Sequence, residues 1–132
     1  RVWVEDIYVI GEGTKKGEAP ENAMGITQAM ASVGENDVWI CGYVVGGDLS
    51  LSSASFDEPF SSRTNILLGP KQVTTSRSSC LAVQLPNGSV RDNLNLVDNP
   101  GLLGSRIRLK GDVVASYYGL VGVKNVSDYV VE

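Results

Sequence analysis

Apolar positions in this chain alternate more often than they recur at helical spacing, and glycine-, serine- and proline-rich stretches separate the alternating runs. Alternation with a period of two marks strands that lay one face on a core. Residues 38–45, VWICGYVV, form the first clear run, with Val38, Ile40, Gly42 and Val44 on one face and Trp39, Cys41, Tyr43 and Val45 on the other. Both faces are largely apolar, so one lines a core and the other is covered or binds something. Residues 63–69, RTNILLG, and 80–86, CLAVQLP, give two more strands, the latter with Leu81, Val83 and Leu85 inward. Residues 105–116 alternate most strongly: Ile107, Leu109, Val113 and Ala115 face one way, and Arg106, Arg108, Lys110 and Asp112 the other. Residues 121–131 read as a last strand with an irregularity at Lys124-Asn125, and residues 2–10 as an additional one before a loop over 11–22.

Two stretches carry helical spacing instead. Ile26, Ala29, Met30 and Val33 fall on one face of a short helix over 26–33, with Gly34 placed to stop it. Val90, Leu94 and Val97 do the same over 89–97, where Ser89 and Asp92 have the spacing of a reciprocal N-terminal cap and Asn99-Pro100-Gly101 ends the run. Three strands, a helix and two strands is the order of a five-stranded Greek-key barrel, the OB-fold, in which the helix between strands three and four plugs one end. Gly42 and Gly111 lie mid-strand, where small barrels bend sharply. The prediction is therefore a mostly β, OB-fold-like barrel over residues 26–132. Residues 1–25 form an N-terminal extension, either an added edge strand or the tail of a preceding domain.

This architecture gives the aromatics meaning. OB-folds bind oligonucleotides or oligosaccharides across strands two and three and through the loops joining strands one–two and four–five. Phe56 and Phe60 lie in the first of those loops, Tyr117 and Tyr118 in the second, and Arg63 and Asn65 stand at the start of strand two. Bases and sugar rings stack on such side chains. The competing reading has the phenylalanines stapling a long loop to the barrel. A second candidate face is the row Arg106, Arg108 and Lys110, which Trp39 and Tyr43 would join if the first and fourth strands pair. There the competing reading has the N-terminal segment covering the face and its carboxylates neutralising the bases.

Charge sharpens both readings. The chain of 132 residues carries a net charge of −4, but residues 1–62 hold 3 basic and 10 acidic residues while residues 63–124 hold 8 basic and 3 acidic. The overall acidity excludes a general nucleic-acid glue, and the basic second half leaves room for an anionic ligand. With no histidine in the chain, the Ser-His-Asp triad, the Cys-His dyad and His-ligated metal sites are excluded. Asp48, Ser50 and Ser52 alternate like the start of a calcium loop, but the glycine and glutamate that such a loop needs are missing. We therefore expect no catalytic residue, no metal and no cofactor, and no membrane insertion, since no apolar run approaches ~18 residues. Cys41 and Cys80 are too far apart for a CxxC motif, and their pairing stays open. The chain starts at Arg1 and reads as a processed or trimmed piece.

The runs WICGYVVGG, TNILLG, LAVQLPNGSVRDNLNLVDNPGLLG and RIRLKGDVVASYYGLVGVKNVSDY also resemble an OB-fold-like domain family of unknown function, found in secreted and surface-anchored proteins of Bacteroides-type bacteria. The resemblance covers about residues 26–131. It implies an extracytoplasmic, periplasmic or cell-surface location in an exported protein or lipoprotein, with nuclease-like or surface-binding domains as neighbours in some relatives. It brings no ligand and no catalytic residue. The expected function is a non-catalytic binding module for single-stranded nucleic acid or another oligomer. The alternative is a structural or adhesion module contacting glycan, protein or other domains of a longer parent, with a metal-assisted hydrolase a distant third.

Overall fold

In the computed structural model, residues 16–132 are described. They fold as a mostly β domain with two short helices: α1 (Ile26–Met30), β1 (Val38–Gly47), β2 (Asn65–Gly69), β3 (Leu81–Gln84), α2 (Ser89–Leu94), β4 (Arg106–Tyr117) and β5 (Leu120–Val131). The strand expected over residues 2–10 lies outside the described residues. The five strands make a mixed sheet whose pairing order, β1–β2–β3–β5–β4, closes into a barrel because β4 also pairs with β1. All pairings are antiparallel except β3 with β5, which meet in parallel over Ala82↔Gly122 and Val83↔Val123.

That parallel seam is short, and it depends on a missing side chain. A Cβ on Gly122 would stand 2.8 Å from the Ala82 carbonyl oxygen and 2.7 Å from the Tyr117 Cβ. Gly111 marks a second close approach, at the break in β4–β5 register between Lys110 and Asp112, where a Cβ would stand 2.8 Å from the Lys124 carbonyl oxygen. The expected irregularity at Lys124-Asn125 is the other side of this bulge, with Asn125 at φ 56° and its side-chain amide donating to Asp112.

The alternating residues fill the barrel. Ile40, Val44, Ile66, Leu68, Leu81, Val83, Leu85, Ile107, Leu109, Val113 and Val123 form one buried cluster, with Val90, Leu94 and Leu96 from α2 and its exit packed into it. Ala115, expected inward, is exposed, because β4 has by then run past the barrel interior towards its turn. Val33, expected on the face of α1, is 48% exposed: the helix ends at Met30. Ser89 is the first residue of α2 rather than its cap. Gly88 holds that position at φ 116°, and no side chain caps the helix.

β2 pairs with β1 only from Tyr43 to Gly47, which leaves one edge of β1's first half open. The N-terminal segment fills that edge. The Trp39 amide donates to the Gly17 carbonyl (2.7 Å) and the Cys41 amide to the Met24 carbonyl (2.8 Å), while the Met24 amide donates to the Trp39 carbonyl (2.9 Å). No helix among the described residues is long and apolar enough to cross a membrane.

Candidate functional site

The long connection between β1 and β2 is a folded structure, and its own sequence explains why. Gly47 and Ser55 exchange both backbone hydrogen bonds, each 2.9 Å, and Ser50 closes the tip by bonding to Ser53. Asp48 sits at φ 50° and accepts hydrogen bonds from the amides of Ser61 and Ser62. The calcium-like spacing of Asp48, Ser50 and Ser52 therefore serves loop closure. Among the described residues, no three His, Cys, Asp or Glu side chains converge as a metal site would require.

The folded loop creates a second apolar cluster on the outer wall. Val45, Leu49, Leu67, Cys80 and Ala82 are buried there, and Tyr43, Ala54, Phe56, Tyr117, Tyr118 and Leu120 pack around them half-buried. Burial pushes the Cys80 thiol up to about 11. Phe56 thus borders the site expected for it, and it also lines a cavity of about 310 Å3 with Gln72, Val73 and Thr74. Phe60 does not reach this face: it is only 8% exposed and belongs to the barrel interior. Asn65 is likewise spent. It is buried, its side-chain oxygen accepts the Leu49 amide at 3.1 Å, and its Nδ2 donates to Ser62 and Thr64. The Arg63 guanidinium faces solvent but is bound edge-on by Asp98, at 3.0 and 3.1 Å. That contact holds the Asp98 carboxyl below the usual carboxylate range.

The β4–β5 turn is different. Tyr117 and Tyr118 stand with ring centroids 4.7 Å apart and planes at 51°, and the Lys124 ammonium lies 5.3 Å from the Tyr117 ring centre, within cation–π range. Tyr118 takes φ 54°, which tips consecutive side chains to the same rim. Desolvation, then the neighbouring Tyr118, raises the Tyr117 phenol above its ordinary value, and a side-chain hydrogen bond with Asn65 partly offsets this. The turn is tied down by Arg77, which precedes β3. Its Nη2 donates to the Ser50 carbonyl (2.7 Å) in one loop and to the Tyr118 carbonyl in the other, while its buried Nε has no hydrogen-bond partner. In the sequence Arg77 was one more base in a polar connection, and nothing local marks it as a clamp.

β1 does pair with β4, which puts Trp39 opposite Lys110, Cys41 opposite Arg108 and Tyr43 opposite Arg106. Much of it is occupied. Trp39 is 7% exposed. Arg106 and Arg108 both donate to Glu132, at 2.9 and 2.6 Å, and Arg108 also donates to the Pro20 carbonyl at 2.9 Å. The expectation gave the neutralising role to the N-terminal carboxylates. Of those carboxylates Glu5, Asp6 and Glu12 lie outside the described residues; Glu132 supplies a carboxylate to both arginines, and the N-terminal segment supplies a backbone oxygen to Arg108. Cys41 is free and half-buried, and Cys80 is free and buried. The Cys41 sulfur, then Glu132, holds the Arg106 guanidinium above its ordinary range.

These strands define a small, mostly β domain: a closed five-stranded barrel with an aromatic, cationic rim at the β4–β5 turn. The chain belongs to a family described as a domain of unknown function (DUF6359), whose model matches residues 24–132. It is also similar to a protein of Bacillus subtilis (strain 168) named Endonuclease YhcR, at 32% identity over 111 residues. Those residues are 84% of this chain but 9% of that protein, so the chain spans only a small part of its length. No solved structure matches the chain.

Proposed function

We propose that this domain is a non-catalytic OB-fold-like module that binds single-stranded nucleic acid on the rim formed by Tyr117, Tyr118 and Lys124. The ring order β1–β2–β3–β5–β4, the parallel β3–β5 seam and the helix between β3 and β4 support the OB-fold reading. One observation carries the ligand class: two adjacent half-buried tyrosines, the first with a lysine over its ring, on the β4–β5 loop where such barrels receive bases. The similarity to a short part of a protein named as an endonuclease is compatible with that ligand. In this reading the domain holds a strand while chemistry is done elsewhere in a longer protein. Placement outside the cytoplasm is part of the same proposal and rests on family resemblance.

The test is a fluorescence titration with single-stranded oligonucleotides at two salt concentrations. Phosphate-driven binding falls steeply with salt, whereas binding of a neutral glycan does not. Replacing Tyr117 and Tyr118 together by leucine removes the stacking surface, and unchanged oligonucleotide affinity in that variant contradicts the proposal.

A further inference from the structure

A second cavity, lined by none of Tyr117, Tyr118 and Lys124, lies between α1 and the middle of β1, with a volume of about 580 Å3. That is the size of ordinary small-molecule sites. Cys41 and Gly42 form part of its lining, with Tyr43 and Arg106, which stand opposite each other in the β1–β4 register. Lys16 supplies another cation, and Thr27 and Gln28 of α1 supply a hydroxyl and an amide.

The chemistry of this lining is selective. Among the described residues no aspartate or glutamate belongs to it, although the chain as a whole is acidic. Glu132 takes the Nη1 of Arg106 at 2.9 Å, which fixes the guanidinium. A guanidinium has five N–H donors, so one carboxylate oxygen leaves others for a second anion. Two cations suit a phosphate, a tyrosine offers a ring face to a base, and a neighbouring hydroxyl and amide can read a base or ribose edge.

We propose that this cavity binds one nucleotide unit, with its phosphate held by Arg106 and Lys16 and its base against Tyr43. The inference rests on the nucleic-acid reading for the class of ligand but on separate residues for the site. A free mononucleotide and the phosphorylated end of a strand share this chemistry.

Calorimetric titration of the full chain tests it, with adenosine 5′-monophosphate, adenosine and inorganic phosphate as probes. The monophosphate binds at least tenfold more tightly than either of the others, Arg106→Gln weakens it at least tenfold, and Thr27→Trp, which fills the cavity from the exposed helix, abolishes it. Equal binding of all three probes, no binding of the monophosphate, or full binding by Arg106→Gln overturns the proposal. Thermal melting checks Thr27→Trp for folding, and Arg106→Gln decides the case if that variant does not fold. Oligonucleotides with and without a 5′-phosphate separate the two sources: tighter binding of the phosphorylated one, lost in Thr27→Trp, assigns the cavity to strand ends, and equal binding assigns it to free mononucleotides. If oligonucleotides bind through the tyrosine rim but the monophosphate does not bind, only the cavity proposal fails. The reverse pattern sinks the rim and leaves the cavity.

Discussion

Two stretches of the barrel wall combine aromatic rings with positive charge, and they end up in different states. On the β1–β4 face, Trp39 is buried, and Arg106 and Arg108 share Glu132. On the β4–β5 turn, Tyr117 and Tyr118 remain half-buried at a rim, Lys124 stands over one of them, and the clamping arginine is spent on backbone carbonyls. Composition is nearly the same in the two places. What differs is what the chain itself brings to each: a strand edge that β2 leaves open draws in residues 17–24, whereas the turn projects past the sheet. The cover is local: residues 17–24 take Trp39, Cys41 and Arg108, whereas Arg106 stays exposed and Tyr43 half-buried at the other end of that face, as the turn tyrosines do.

The largest effect that sharpens this contrast is on stability. Trp39→Ala removes a buried ring and should destabilise the fold by about 3–5 kcal/mol in urea melts. A cost below about 1 kcal/mol would mean the ring is not part of the covered face. Replacing both tyrosines of the turn by leucine should do the opposite, weakening oligonucleotide binding by about 1–3 kcal/mol per stacked base lost while the domain stays folded. Arg77→Met should cost about 2 kcal/mol, the range for hydrogen bonds from a charged donor, and should open residues 48–62 to protease before the barrel melts. Cleavage elsewhere first would contradict the clamp.

The pH predictions are smaller and have opposite signs. Cys80 has its thiol raised from 9.0 to about 11. A raised folded value stabilises fully below the unfolded value, so this contribution is lost as pH climbs from about 9 to about 11, and Cys80→Ala should flatten that alkaline limb. Asp98 is lowered by its hydrogen bond with Arg63, and Asp112 by Asn125 and the Asp37 amide. Depressed carboxyls stabilise above the unfolded value of about 3.9 and lose that contribution as pH falls through their folded values. Asp98 is exposed, so Asp98→Asn should change acid melts only slightly.

Much of the fold was legible because alternation is enforced by burial. Ile107, Leu109, Leu81, Val83 and Ile40 all face the barrel interior as their spacing predicts. The pairing of β1 with β4 followed from the element order of a closed five-stranded barrel and not from alternation. The loops were not. That Phe60 enters the core while Phe56 stays on the wall depends on how Asp48 gathers the Ser61 and Ser62 amides, and side-chain-to-backbone bonds of this kind leave no periodic trace. Arg77 and Glu132 were illegible as organisers because their partners lie 27 and 24 or more residues away. At the candidate rim the two tyrosines could be named from the sequence, but the lysine above them needed the β4–β5 register.

One titration bears most directly on the tyrosine rim. A single-stranded oligonucleotide added to the wild-type chain at low and at physiological salt should bind with an affinity that drops steeply with salt, and the Tyr117→Leu, Tyr118→Leu double variant should lose most of that binding while melting as a folded domain. Binding that ignores salt, or that the double variant keeps in full, would contradict it.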